Sequence, residues 1–241
     1  MSNWGEVFKN KLGKEDRVNI EPVQLSLKPG SVPVYSARPY DTPYHLRPAF
    51  DRELKDMLEA EILEPMGLKE SEWCSRSFPV LKGDGSSVRL VSDFKNVNRC
   101  IKRPTHPTDS ANQLLRQISP TSRYFCTIDC VAGYHQIPIT PESSNLLVIA
   151  TPAGRFRMKV LAQGVSSASD IFNIMTDGST RLDSNVIKNM DDLAFFSDNL
   201  VDLEKHVCEF LKFCKLKNLK LKTDKFKISE NVEFAGATLN A

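Results

Sequence analysis

The stretch Val186-Ile187-Lys188-Asn189-Met190-Asp191-Asp192-Leu193-Ala194-Phe195-Phe196 sets two adjacent carboxylates between short runs rich in β-branched and aromatic residues. That pattern predicts a hairpin with acids at its bend. Two like charges roughly 4 Å apart cost on the order of 1 kcal/mol even in water. A divalent cation would turn that cost into a gain, whereas the dipeptide alone reads as a solvated turn.

Working outward, Tyr124-Phe125-Cys126-Thr127-Ile128 reads as a buried strand that ends on Asp129, a position from which an acid points into a site. Taken alone, Asp129 reads equally as a helix cap or a surface acid. Together Asp129, Asp191 and Asp192 make a three-carboxylate candidate centre. Hard oxygen donors of this kind suit magnesium or manganese, with water and phosphate oxygens completing the shell. Two such ions about 4 Å apart could clamp the attacking and leaving oxygens of an in-line displacement.

Elsewhere, Phe50, Leu54, Met57, Leu58 and Ile62 recur at helical spacing until Pro65 closes the segment. Phe78 to Lys82 and Ser87 to Val91, joined through Gly83-Asp84-Gly85, predict a β-hairpin with one basic residue on each arm. Asp109 or Ser110 caps a short helix carrying Leu114, Leu115 and Ile118. Strands at about 147–151 and 155–161 flank a Pro152-Ala153-Gly154 turn, and helices are predicted over Ser166 to Thr180 and around Leu203 to Cys214. Two short strand-like pieces, Phe226 to Ile228 and Val232 to Phe234, close the chain. Residues 1–20 read as a loosely held arm, and 21–48, with six of the fourteen prolines, as an extended strap. No glycine-rich nucleotide loop accompanies the alternation, so the expected class is α+β with an antiparallel sheet.

With 241 residues, 41% of them hydrophobic, the chain can bury a sizeable core. No run reaches the ~20 apolar residues of a membrane span, and the first sixteen residues lack a signal-peptide core. An intracellular protein of cytoplasm or nucleus, with no membrane partner, is the expectation. The six cysteines form no Cys-x-x-Cys pair, which argues for reduced thiols and against a zinc finger. Net charge is only +2, yet eight lysines crowd Lys205 to Lys227 against Glu209 and Asp224. They offer a cationic face for phosphates or a plain solvated face.

Thr127-Ile128-Asp129-Cys130-Val131-Ala132-Gly133-Tyr134-His135-Gln136-Ile137, then Leu161-Ala162-Gln163-Gly164, then Asn189-Met190-Asp191-Asp192, come in the order and spacing of a reverse transcriptase. Ile62-Leu63-Glu64-Pro65, Phe78 to Gly85 and Arg89-Leu90-Val91-Ser92-Asp93-Phe94 agree upstream. From about residue 36 to 238 the chain resembles the reverse transcriptases of gypsy-type LTR retrotransposon Pol polyproteins.

The resemblance implies the fingers and palm of a right-hand polymerase, an antiparallel palm sheet with flanking helices, and RNA-directed DNA synthesis. It divides the chain into an N-terminal arm (1–35), mainly fingers (36–122) and mainly palm (123–241), with a finger segment at about 141–162. It makes Asp129, Asp191 and Asp192 the catalytic acids, which with the Cys130 carbonyl would hold two magnesium ions, or manganese. Lys82 and Arg89 would reach the incoming deoxynucleoside triphosphate, Tyr134 would reject a 2′-hydroxyl, and Gln163 would lie beside the nucleotide. The partners implied are an RNA or DNA template with its primer, dNTPs, and the thumb and ribonuclease H portions of a longer Pol product. His135 is assigned to structure.

Three features depart from the family pattern. Asn189 replaces an aromatic residue at a position that, with Met190, contacts template-primer. Ala194 is smaller than the usual branched residue, which predicts looser packing behind the hairpin. The sequence ends at Ala241, about where a palm ends, so no thumb is expected within it. The rival reading is a truncated or co-opted retroelement fragment that is non-enzymatic and at most binds nucleic acid. A metal-dependent hydrolase lacks any supporting His or Glu cluster.

Overall fold

The computed structural model describes residues 4–36, 38–107, 109–180 and 185–240, except for the side chains of 178–180. The first three residues of the predicted arm lie outside it. Two compact units emerge. The first comprises Met1–Leu12, Thr105–Gly133 and Ser169–Ala241, and the second comprises Gly13–Pro104 and Tyr134–Ala168. No helix among the described residues is long and apolar enough to cross a membrane.

The first unit is built on a four-stranded antiparallel sheet ordered Lys227–Ser229, Tyr124–Asp129, Asp192–Ser197, Val186–Asn189. Alternation along the two central strands divides its core between two faces. Cys126, Ile128, Leu193 and Phe195, each at most 1% exposed, belong to one face. There the helix Leu200–Lys217 packs, with Phe210 and Phe195 ring centroids 5.5 Å apart. On the other face Leu114, Phe125, Ile187, Ala194 and Phe196 cluster with Val232, Phe234 and Leu239.

Those last three come from a terminal hairpin, Asn231–Phe234 paired with Ala237–Asn240. Its second strand is absent from the sequence-based expectation. The turn residues Ala235 (φ +49°) and Gly236 (φ +80°) are both left-handed, the geometry that lets a two-residue turn follow the twist of its strands. Ala235 hides this signal, because alanine rarely adopts that region. Ala194 is fully buried among larger apolar neighbours of this cluster, so the looseness expected behind the hairpin is offset from the C-terminal side.

The N-terminal arm is not loosely held. Val7 is 1% exposed, and Phe8–Lys9 pair in parallel with Leu221–Lys222. Phe8 also meets Phe226 edge-on at 5.1 Å. The apolar residues of the arm are too few for periodicity to show, yet two backbone pairs and one ring contact are enough to dock it.

In the second unit a five-stranded mixed sheet runs Leu63–Pro65, Gly154–Met158, Val148–Thr151, Ser75–Leu81, Val88–Ser92. The helix Arg47–Glu59 presents Phe50, Leu54 and Met57 to the interior. It stops short of Ile62, which the sequence pattern included. Glu61 turns left-handed (φ +51°), while its N–H bonds Leu58 O at 3.0 Å and the Ile62 N–H bonds Met57 O at 2.9 Å. These paired bonds close the helix and leave Ile62 apolar because it packs back on the last turn. The proline-rich strap runs extended, touching this unit through single bridges at Val23, Leu27 and Tyr35.

Candidate active site

Asp129 ends its strand directly opposite Asp192, and Asp192 is in turn paired with Asn189. Side chains opposed across an antiparallel pair stand about 5 Å apart at Cβ, and like charges there repel. Asp191 sits in the two-residue bend with Met190, whose φ of +59° is left-handed. The turn therefore carries both a charge penalty and a backbone penalty.

Phe125, Thr127 and Asp129 alternate onto the same face as Asp192, Ala194 and Phe196. This is the face that the terminal hairpin covers further along. Where that cover ends, a groove of about 240 Å³ opens, lined by Asp129, Asp192, Lys225, Glu233, Phe234 and the Ala235-Gly236 turn among others. Lys225 and the terminal turn are neighbours that the sequence reading did not assign to the site.

Partial burial raises the carboxyl of Asp192 above its ordinary range although its surface remains open, and the charges of Asp129 and Asp191 push it the same way. Lys222 and Lys225 pull against this. Asp129 is more enclosed, its side chain 15% exposed, and its Oδ2 accepts from Lys222 Nζ. Its Oδ1 is buried with no hydrogen-bond partner. The Cys130 thiol is pushed well above its usual value, chiefly by burial and further by Cys214 and the two neighbouring acids, so it stays a neutral thiol. The Cys130 backbone bridges to Leu221.

An orphaned carboxylate oxygen, crowded acids and all-oxygen donors are the chemistry that a hard divalent cation satisfies. The residues present fit magnesium or manganese in that sense. Even so, no group of three or more His, Cys, Asp or Glu side chains among the described residues is drawn together as a preformed metal cage.

The other predicted residues lie in the second unit. Arg89 pairs with Val80 across the Ser75–Leu81 and Val88–Ser92 hairpin, so Lys82, two residues on from Val80, is its diagonal neighbour on the same face. Lys82 Nζ lies 3.3 Å from Glu53 Oε2. The turn between them is fastened by Asp84, which accepts from the Ser86 and Ser87 amides at 2.9 Å. The Ser87 hydroxyl and these amides hold the Asp84 carboxyl down at about 2.

Tyr134 lies in the short 3-10 turn Gly133–Gln136 and is half-buried. Gln163 is exposed at the rim of a cavity of about 10 Å³, room for one water, that His135, Phe94 and Ser92 also line. Its loop is held by Asn98, which donates to Gly164 O and accepts from the Ser166 amide, each at 2.8 Å. Nothing in the sequence marks Asn98 for that role. His135 is held neutral, its pKa lowered to about 4 by burial and then by the charges of Arg17 and Arg89.

The lysine run divides. Lys215 pairs with the Glu6 carboxylate at 2.5 Å, Lys220 donates to Glu6 O at 2.8 Å and Lys222 binds Asp129, so three of the eight are spoken for within the first unit.

Residues 80–239 match the family model described as reverse transcriptase (RNA-dependent DNA polymerase). Among curated relatives, the Retrovirus-related Pol polyprotein from transposon gypsy of Drosophila melanogaster is 27% identical over 212 residues, 85% of this chain and 20% of that protein. The enzymatic polyprotein of figwort mosaic virus is 25% identical over 199 residues, 80% of this chain and 29% of that one. The chain thus spans less than a third of the length of these relatives. Among solved structures, a foamy viral protease-reverse transcriptase in complex with double-stranded DNA aligns with a TM-score of 0.87 at 18% identity, covering 99% of this chain and 41% of that one. The foamy viral protease-reverse transcriptase in complex with an RNA/DNA hybrid gives 0.83 at 17% identity, over 99% and 32%. These likenesses show the fold, the α+β arrangement of polymerase fingers and palm.

Proposed function

From the chain's membership of the reverse transcriptase (RNA-dependent DNA polymerase) family, we propose that it carries the template-directed DNA synthesis of a gypsy-type Pol product, adding deoxynucleotides to a primer 3′-hydroxyl. The observation that carries this reading is the cross-strand opposition of Asp129 and Asp192 beside the Asp191 bend, at the open end of a groove. Repelling acids are retained where a cation has use for them.

In this reading the first unit is mainly palm and the second mainly fingers, with template, primer and dNTPs as partners and the thumb and ribonuclease H portions supplied by the longer product. Asp129, the Cys130 carbonyl, Asp191 and Asp192 would hold magnesium or manganese. Once bound, such ions acidify the primer hydroxyl and offset charge on the departing pyrophosphate.

The chain's own residues do the rest. Lys82 and Arg89 bind the triphosphate, the ammonium as a point charge and the guanidinium as a planar fork, and both offset the negative charge that builds in the transition state. For Lys82 this requires leaving Glu53, an exchange of one carboxylate for a more highly charged phosphate. Tyr134 excludes a 2′-hydroxyl by contact, and the Gln163 amide both donates and accepts beside the nucleotide. The groove beside Asp129 and Asp192 supports this reading, since a primer end entering it would come within reach of the acids.

One observation favours the rival reading of a non-enzymatic fragment, namely that Lys222 already occupies Asp129. Extension of a DNA primer on an RNA template with magnesium and dNTPs, run beside Asp191→Asn, separates the two. Extension by the wild type that the substitution abolishes supports the enzyme, and no extension by the folded wild type supports the fragment.

A further inference from the structure

We infer that Lys222 is a tethered cation of the acid cluster, holding Asp129 when no metal is bound, so that a divalent ion enters the cluster in competition with it. The inference rests on the reading that the acids bind a divalent cation, and it concerns what already stands in that place.

Lys222 is not a loose surface lysine that happens to reach an acid. Its strand is fixed from two sides. Leu221–Lys222 pair in parallel register with Phe8–Lys9, and the Leu221 amide donates to Val7 O at 2.9 Å. On the other side Leu221 bridges to Cys130, the residue that follows Asp129, and the Val131 amide donates to Lys220 O at 3.1 Å. Leu219 and Leu221 are fully buried and Lys220 is tied to Glu6 O, so Lys222 reaches Asp129 from a backbone paired on both sides.

The charge balance follows. Lys222 satisfies one oxygen of Asp129 while the other, Oδ1, stays buried and unmatched, and the second ammonium at the groove, Lys225, acts on Asp192 through its charge. A monovalent donor therefore keeps the apo cluster assembled without completing it. A divalent ion brings twice the charge to the same oxygens, and at such separations it is repelled by the ammonium. Removing the ammonium should thus weaken the metal-free protein and strengthen its hold on metal, whereas a lysine of purely structural value would weaken both.

The test is manganese binding, read by electron paramagnetic resonance of free Mn²⁺, on the whole chain without primer or nucleotide, with melting temperature in EDTA measured alongside. Lys222→Met is expected to bind Mn²⁺ about three- to tenfold more tightly than wild type. It should also melt lower in EDTA and recover with saturating Mn²⁺. Lys222→Arg should stay near wild type, and so should Lys205→Met, which removes an exposed lysine of the helix Leu200–Lys217. Lys222→Gln carries the same expectation as Lys222→Met should the latter fail to fold. Binding by Lys222→Met and Lys222→Gln that is equal to or weaker than a wild type that itself binds Mn²⁺ overturns the inference alone. Absence of binding by every folded variant and by the wild type overturns it together with the metal-centre reading.

Discussion

Asp129 closes its strand opposite Asp192, with Asp191 in the bend beside them, and acids crowded in this way repel unless a cation offsets them. Lys222 was not legible, since in a run of lysines nothing in the sequence distinguishes the one whose strand is pinned from those in solvent. Two further residue-level expectations follow. Tyr134→Ala should raise ribonucleotide incorporation relative to deoxynucleotide at least about tenfold, because the site loses only a steric exclusion. Single-nucleotide incorporation with matched rNTP and dNTP reads this, and an unchanged ratio removes Tyr134 from sugar selection. For His135, the folded pKa of about 4 lies below the ordinary 6.5, so between these values the unfolded chain binds the proton and the folded chain does not. Stability is therefore full above 6.5 and lost as pH falls toward 4. His135→Gln should remove about 1–2 kcal/mol of that fall, a value kept modest because the residue retains some exposure. Urea denaturation at pH values either side of the window checks it.

At the scale of elements, the hairpin was predicted from its flanking strands, but the device that anchors it was not. Lys188, in the strand leading to the bend, is only 11% exposed at its side chain. Its ammonium donates to Asp177 Oδ1 at 2.9 Å, Thr176 Oγ1 at 2.7 Å and Asn173 O at 3.2 Å, all on the helix Ala168–Thr180. Asp177 also meets His106 Nε2 at 2.6 Å. Against the opposing pull of burial, hydrogen bonds from Lys188 and His106 hold Asp177 below the usual carboxylate range. A lysine in a strand reads as a solvent-facing residue, because its partly buried partner lies on another element and sequence spacing carries no sign of it. Lys188→Met leaves a partly buried carboxylate short of its main partner and should cost about 1–3 kcal/mol in urea denaturation. Lys188→Met combined with Asp177→Leu should cost less than the sum of the single changes, and strict additivity would show that the pair is not coupled.

At the scale of the whole molecule, the two units interleave along the sequence. The first unit takes three separated segments of sequence and the second takes two. Such interleaving leaves no composition shift at the crossings, because strands of both units carry apolar residues of the same kinds. The docking of residues 4–12 was hidden for the same reason, as a two-residue strand has no period to detect. Deleting residues 1–12 should therefore destabilise the first unit rather than trim a tail, lowering the melting temperature by several degrees through the loss of the Phe8–Lys9 pairing and buried Val7. Differential scanning calorimetry checks this, and an unchanged transition would return the segment to the status of a free arm.

Whether Asp129, Asp191 and Asp192 perform nucleotidyl transfer is read from single-turnover addition of one dNTP to a primer on an RNA template. Asp191→Asn should lower the maximum rate by on the order of 10³-fold or more while the dNTP concentration at half-maximal rate changes little. Arg89→Ala should mainly raise that concentration. A folded wild type that adds no nucleotide, or an Asp191→Asn variant that adds it at the wild-type rate, would show that these acids do not perform the transfer.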